Sequence, residues 1–131
     1  MEGRLRAERP FLTAAEAHTQ AMSLPIRDIV AHLLQFLDAT TIAVIAGVHE
    51  TRAVNGWLNG REPHRPQVLR FALQLAAMIA STADAEVCKA WFHGSNPHLD
   101  DRVPMIMLRD NQLPEVQPLL LAAARLFAAR A

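Results

Sequence analysis

Residues Ile42–Pro63, IAVIAGVHETRAVNGWLNGREP, decide the reading of the fold. Ile42, Ile45 and Ala46 recur at helical spacing, as do Val54, Trp57 and Leu58, so two short helices can pack face to face. Gly47 suits a reversal that needs a positive φ, and Gly60 suits the position just past a helix end. Pro63 then blocks continuation. This order of features reads as a helix-turn-helix, whose second helix, expected over about Glu50–Asn59, can enter the major groove of DNA. An ordinary helical hairpin would show the same spacing.

Working outward, the chain reads as all-α. Its 131 residues allow one domain or two very small ones, and 51% hydrophobic content is enough for a core. Tyrosine is absent, and no run alternates β-branched with polar residues as a half-buried strand would. No apolar run approaches the roughly 20 residues of a membrane span, and the N-terminus lacks a signal-like apolar stretch. A soluble cytoplasmic protein is the simplest expectation. Cys88 is the only cysteine, which excludes an intrachain disulfide and a cysteine-rich metal site.

Thirteen basic residues balance thirteen acidic ones, so the chain as a whole carries no phosphate-attracting charge. The bias is local. Between His49 and Arg70 stand Arg52, Arg61, Arg65 and Arg70 against Glu50 and Glu62, whereas residues 84–131 hold six acids against five bases. In the second helix, Arg52, Asn55 and Asn59 are not needed for packing. Arg matches guanine and Asn matches adenine in the major groove, so Arg52 and Asn55 are the candidate base readers. Arg61, Arg65 and Arg70 suit phosphates. Glu50 opposes that use, and Gly56 leaves blank a position where a cation would help.

Residues 1–10 read as a loose charged arm, and Thr13 with Glu16 as a capping box opening a helix over Ala14–Met22. Ile29, Val30, Leu33, Leu34 and Leu37 form one stripe of the next helix. Asp38 or Thr40 can cap the helix holding Thr41–Ala46. Pro66 suits the start of a long helix reaching Ala83. A shorter helix over about Ala85–His93 ends at Gly94-Ser95-Asn96-Pro97. Pro104 opens a short helix, and Val116, Leu119, Leu120, Ala123 and Phe127 share one side of the last, with Pro118 expected in its first turn. The organisation that follows is an arm over 1–25, a helix-turn-helix over 26–65 and a helical C-terminal unit over 66–131.

The segment after the long helix carries a second pattern: Trp91-Phe92, Asn96-Pro97, Leu99, Pro104, Leu108 and Val116. Read physically, these are core aromatics, a turn and the apolar positions that fold back on them. Their order behind a helix-turn-helix resembles the Xre/MbcA/ParS antitoxin family, over about Ile26 to the C-terminus. In that family an aromatic pair, an Asn-Pro or Pro-Asn turn, a leucine, a helix-opening proline and a valine in the last helix make the toxin-binding motif. The resemblance implies a RES-domain toxin that consumes NAD⁺ as partner, no cofactor of the chain's own, and self-association as a homodimer or a hetero-oligomer with the toxin. It implies that Leu119–Ala131 blocks the toxin's cleft, with Arg125 and Arg130 as candidates to reach an NAD pocket, since guanidinium groups match carboxylates and phosphates. The same two cations would also sit well at a helix C-terminus for dipole reasons alone. Operator binding and autorepression are a further implication. Two departures stand out: Asp100-Asp101 occupies the place where the family has glycine shortly after the motif leucine, and the Gly47-to-Trp57 spacing is about one residue longer than in the commonest helix-turn-helix pattern.

Catalysis is not expected. Cys88 sits between Val87 and Lys89 on an apolar helix, where a small buried hydrophobe is the ordinary use of cysteine. His93 and His98 bracket a turn with no matched third ligand, so no metal site is expected. The rival to the antitoxin reading is a stand-alone helix-turn-helix regulator whose C-terminal helices serve dimerisation.

Overall fold

Helix caps mark several of the chain's turning points. The computed structural model describes residues 14–130; the expectations for the 1–10 arm and the Thr13 cap lie outside the described residues. Within them lie eight α-helices and no strand: α1 (Ala14–Ser23), α2 (Ile26–Leu33), α3 (Ala39–Ala46), α4 (Ala53–Leu58), α5 (Pro66–Ala80), α6 (Ala85–His93), α7 (Pro104–Asp110) and α8 (Leu113–Arg130). A single 3₁₀ turn, Pro97–Leu99, separates α6 from α7. The chain is all-α.

Two glycines do the work assigned to them. Gly47 has φ 79°, Val48 N–H donates to the Ala43 carbonyl and Gly47 N–H to that of Val44, a Schellman ending for α3. Gly60 (φ 102°) ends α4 in the same manner, with Arg61 N–H reaching Gly56 and Gly60 N–H reaching Trp57. Asp38, rather than Thr40, caps α3 by accepting the Thr41 N–H at 2.8 Å. Asp84 caps α6, accepting the Val87 N–H at 3.0 Å.

α5 is the axis of the molecule. Eleven of its fifteen residues are buried, and α1, α2, α3, α6 and α8 all pack against it. An apolar helix of this kind is stable only when surrounded, and Pro66 at its first turn gives it a fixed start. The segments 26–65 and 66–131 share one continuous core, from Ile26 through Trp57 and Phe71 to Phe92, Leu108 and Leu120. Packing of α3 against α7 joins them directly.

Several boundaries differ from the sequence reading. The second helix of the helix-turn-helix segment covers Ala53–Leu58, not Glu50–Asn59. Its lead-in is a tight turn in which Ala53, Val54 and Asn55 N–H groups reach back only three residues, to Glu50, Thr51 and Arg52. α2 stops at Leu33, so Leu34 turns outward while Leu37 remains buried. α5 stops at Ala80, where Ser81 and Thr82 hydroxyls bond the carbonyls of Met78 and Ile79 and compete with further helix. Pro118 is the sixth residue of α8 rather than part of its first turn. The N–H it lacks leaves the Pro114 carbonyl without a helical donor, and both prolines are exposed, so water can take that bond. Leu119, expected on the core side, is 44% exposed.

Candidate partner-binding surface

The Asn96-Pro97 turn is built by its own side chains. Asn96 Oδ1 accepts the His98 N–H at 2.9 Å, starting the 3₁₀ turn that carries Leu99 into the core. Asp100 and Asp101 then follow with φ 57° and 63°. The left-handed region is strained for most residues, and Asp is among the few that enter it readily. The loop closes where Asn96 N–H meets the Arg102 carbonyl, and Arg102 Nε donates to the Leu99 carbonyl at 2.9 Å. Where the resemblance expects a glycine, the backbone therefore has the conformation that glycine adopts without strain.

This turn stands beside the C-terminal half of α8. Between them is a cleft of about 160 Å³ lined by Trp91, Asn96, Pro97, His98, Phe127 and Arg130, with Ala123 at its floor. Trp91 packs edge-on against Phe92, with ring centroids 5.2 Å apart at 81°. Its indole Nε1–H is buried without a hydrogen-bond partner. Leaving such a donor unmatched costs about 1–3 kcal/mol, and buried indoles ordinarily find an acceptor.

Of the ten positions in the toxin-binding set, Trp91, Asn96, Pro97 and Arg130 meet at this cleft. Phe92, Leu99, Pro104, Leu108 and Val116 are buried. Their side chains support the surface from beneath. Arg125 is exposed on α8 away from the cleft. His98 and Phe127 belong to the cleft and were not in the sequence set; His98 directly follows the Asn-Pro turn, and that adjacency was the available signal.

The candidate DNA face divides in two. Arg52, Asn55, Asn59 and Arg61 are exposed on α4 and its flanks. Arg52 and Arg61 border a cleft of about 540 Å³ with Gly56 and His64, although Arg52 Nε is held 2.6 Å from Glu50. Asn59 Nδ2 donates back to the Asn55 carbonyl. Arg65 has a different use. Its guanidinium donates to the carbonyls of Arg109 and Asn111 at 3.1 and 2.9 Å, closing the C-terminus of α7. Arg70 does the same for α1, donating to the Ala21 and Leu24 carbonyls at 3.1 and 2.6 Å. Unsatisfied helix-end carbonyls thus hold both of the arginines that the sequence suggested for phosphates.

One polar junction escaped the sequence reading. Thr41, 1% exposed, donates its hydroxyl to Asp38 at 2.6 Å, and His93 Nε2 lies 2.7 Å from the same oxygen. Lys89 pairs with Asp38 at 2.9 Å. The Thr41 hydroxyl, then Lys89 and the Thr41 N–H hold the Asp38 carboxyl well below its usual range. The junction ties the start of α3 to the end of α6. The D-x-x-T spacing signals the cap, but nothing local signals His93. Burial pushes the Cys88 thiol up to about 12, and its Sγ donates to the Ala76 carbonyl at 3.6 Å, which is the behaviour of an inert core cysteine.

No family model, curated protein or solved structure matches this chain. No helix among the described residues is long and apolar enough to cross a membrane.

Proposed function

We propose that this chain binds a partner protein through the Trp91–Asn96–Pro97–Arg130 cleft and acts as the antitoxin of a RES-domain toxin that consumes NAD⁺. The observation that carries the reading is the turn after Leu99. Its left-handed Asp100 and Asp101 supply the backbone that the family's glycine would supply, at the motif position where this sequence departs from the pattern. The cleft then offers an apolar wall from Trp91 and Phe127 beside the Arg130 cation, a combination suited to a peptide segment bearing a carboxylate. Arg130, which lines the cleft, is the cation proposed to reach the toxin's NAD site, while Arg125 is exposed outside the cleft. Neutralisation is steric: the antitoxin covers the NAD site and performs no chemistry.

The test is co-expression with the product of the adjacent gene, co-purification, and an NAD⁺-consumption assay. Truncation at Leu119 is a poor variant, because Leu120, Ala123 and Ala124 belong to the core. Pro97→Glu and Arg130→Glu change exposed residues, so the core should be undisturbed. Both should restore NAD⁺ loss while circular dichroism stays native. Unchanged protection by both variants would reject the cleft.

A DNA-binding regulator is the second reading, favoured by the exposure of Arg52, Asn55, Asn59 and Arg61 outside the core. Arg52→Ala combined with Asn55→Ala should then abolish a gel shift on the chain's own upstream region. An unaltered shift would dismiss these residues as readers.

A further inference from the structure

α8 is apolar on two faces. Val116, Leu120, Ala123 and Ala124 point into the core. On the solvent side Leu119 is 44% and Leu126 43% exposed, and Ala122 and Ala129 are exposed with them. These four residues recur at spacings of three, four and three, the a/d rhythm of a helix pair. The other exposed large apolar residues, Met22, Leu34 and Val87, lie on separate elements and form no such line.

We propose that this face is a self-association surface, pairing α8 with α8 of a second copy of the chain in antiparallel orientation. Two properties select that occupant and direction. The first is size. One antiparallel register sets Leu119 against the copy's Ala129 and Ala122 against the copy's Leu126. Each of the four layers then holds one large and one small side chain, the arrangement that lets two helices approach closely without voids. The second is charge. Glu115 is the acid at the start of α8, while Arg125 and Arg130 lie toward its end. Antiparallel pairing brings the acidic start of one helix to the basic end of the other and opposes the helix dipoles, whereas parallel pairing stacks arginine on arginine. At about 100° per residue, the seam lies roughly a quarter turn around α8 from Ala123 and Phe127, with Arg130, one turn beyond Leu126, at the border between seam and cleft. An isologous two-fold contact of this kind closes on itself and does not propagate.

The experiment is sedimentation velocity on the full chain over roughly 1–200 µM, a range suited to an interface at the small end of specific areas. The expected result is a mass rising from monomer to twice that value. Leu126→Glu places a charge in two symmetry-related layers and should weaken the dimer at least about tenfold; Leu119→Glu should do the same. Both positions are exposed and Glu is a good helix former, so unchanged circular dichroism is expected. Mixing Ala122→Cys protein with Leu126→Cys protein under oxidation should give more disulfide-linked dimer than either alone; Cys88 is buried and does not compete. A monomer at every concentration overturns the proposal, as does a dimer that both glutamate variants leave intact. Loss of toxin neutralisation by Leu126→Glu with no change in mass would assign the face to another protein and overturn it too. Failure of the antitoxin reading leaves the mass and cross-linking results standing.

Discussion

Replacing Asp38 by alanine should destabilise the protein by about 2 kcal/mol, chiefly through a helix cap and a buried hydroxyl, with a screened ion pair adding little. The cap is the 2.8 Å bond from Thr41 N–H; losing an N-cap acceptor costs about 1 kcal/mol. The Thr41 hydroxyl, 1% exposed, loses its acceptor at 2.6 Å, for about another 1 kcal/mol. Lys89 and Asp38 side chains are 41% and 47% exposed, so solvent screening makes that pair the smallest of the three contributions. Asp38→Asn separates the contributions, because asparagine keeps an oxygen for Thr41 and loses only the charge; its cost should stay below about 1 kcal/mol. The pH dependence follows from the sign of the shift. A carboxyl held below its ordinary value of 3.8 contributes stability in full above that value and loses it as pH falls through the folded-state value. Stability of the native chain should therefore decline below about pH 4 more steeply than that of Asp38→Asn. Urea unfolding followed by circular dichroism, repeated from about pH 2 to 7, measures both effects. An alanine variant within about 0.5 kcal/mol of the native chain, or equal alanine and asparagine costs, would refute the capping account.

Three further outcomes are expected. Arg65→Ala leaves the α7 carbonyls of Arg109 and Asn111 without their donor and should cost about 1–2 kcal/mol in urea unfolding; if DNA binding occurs, its salt dependence should not change, and a shallower slope would restore the phosphate role. Gly56→Ala should stabilise the protein by a few tenths to about 1 kcal/mol through helix propensity; its Cβ would meet Arg61 Cδ at 3.2 Å, a flexible neighbour that can shift, and a net loss of stability would show that Arg61 is fixed there. Asp100→Gly and Asp101→Gly should be neutral or stabilising while the valine variants lose about 1–2 kcal/mol, since β-branched residues resist the left-handed region; equal effects of glycine and valine in thermal melts would deny the strain.

The helices and most of their ends were legible in the sequence because their causes are local. Apolar spacing marks each buried face, Gly47 and Gly60 supply the left-handed residues that end α3 and α4, and Asp38, Asp84 and Pro66 set the starts of α3, α6 and α5 within one turn. The all-α class follows from the same short-range signals. Where two local signals competed, the reading slipped: the tight turn over Glu50–Arg52 shortened α4, and Ser81 and Thr82 ended α5 early.

Only the tertiary structure decided what the surface residues do. Arg65 and Arg70 look like phosphate ligands in sequence, yet carbonyls 44 to 49 residues away hold them. The Thr41–His93 contact spans 52 residues. The positions read as a toxin-binding pattern have two fates that their spacing could not sort: Trp91, Asn96, Pro97 and Arg130 open to a cleft, while Phe92, Leu99, Leu108 and Val116 turn inward. Leu119 and Leu120 are neighbours in sequence with opposite fates, because about 100° of helical rotation puts one in water and the other in the core. Caps and periodicity are properties of a few adjacent residues, so the sequence by itself determined them. Which guanidinium meets which carbonyl, and which side of α8 stays exposed, depends on how helices far apart in the chain pack around α5.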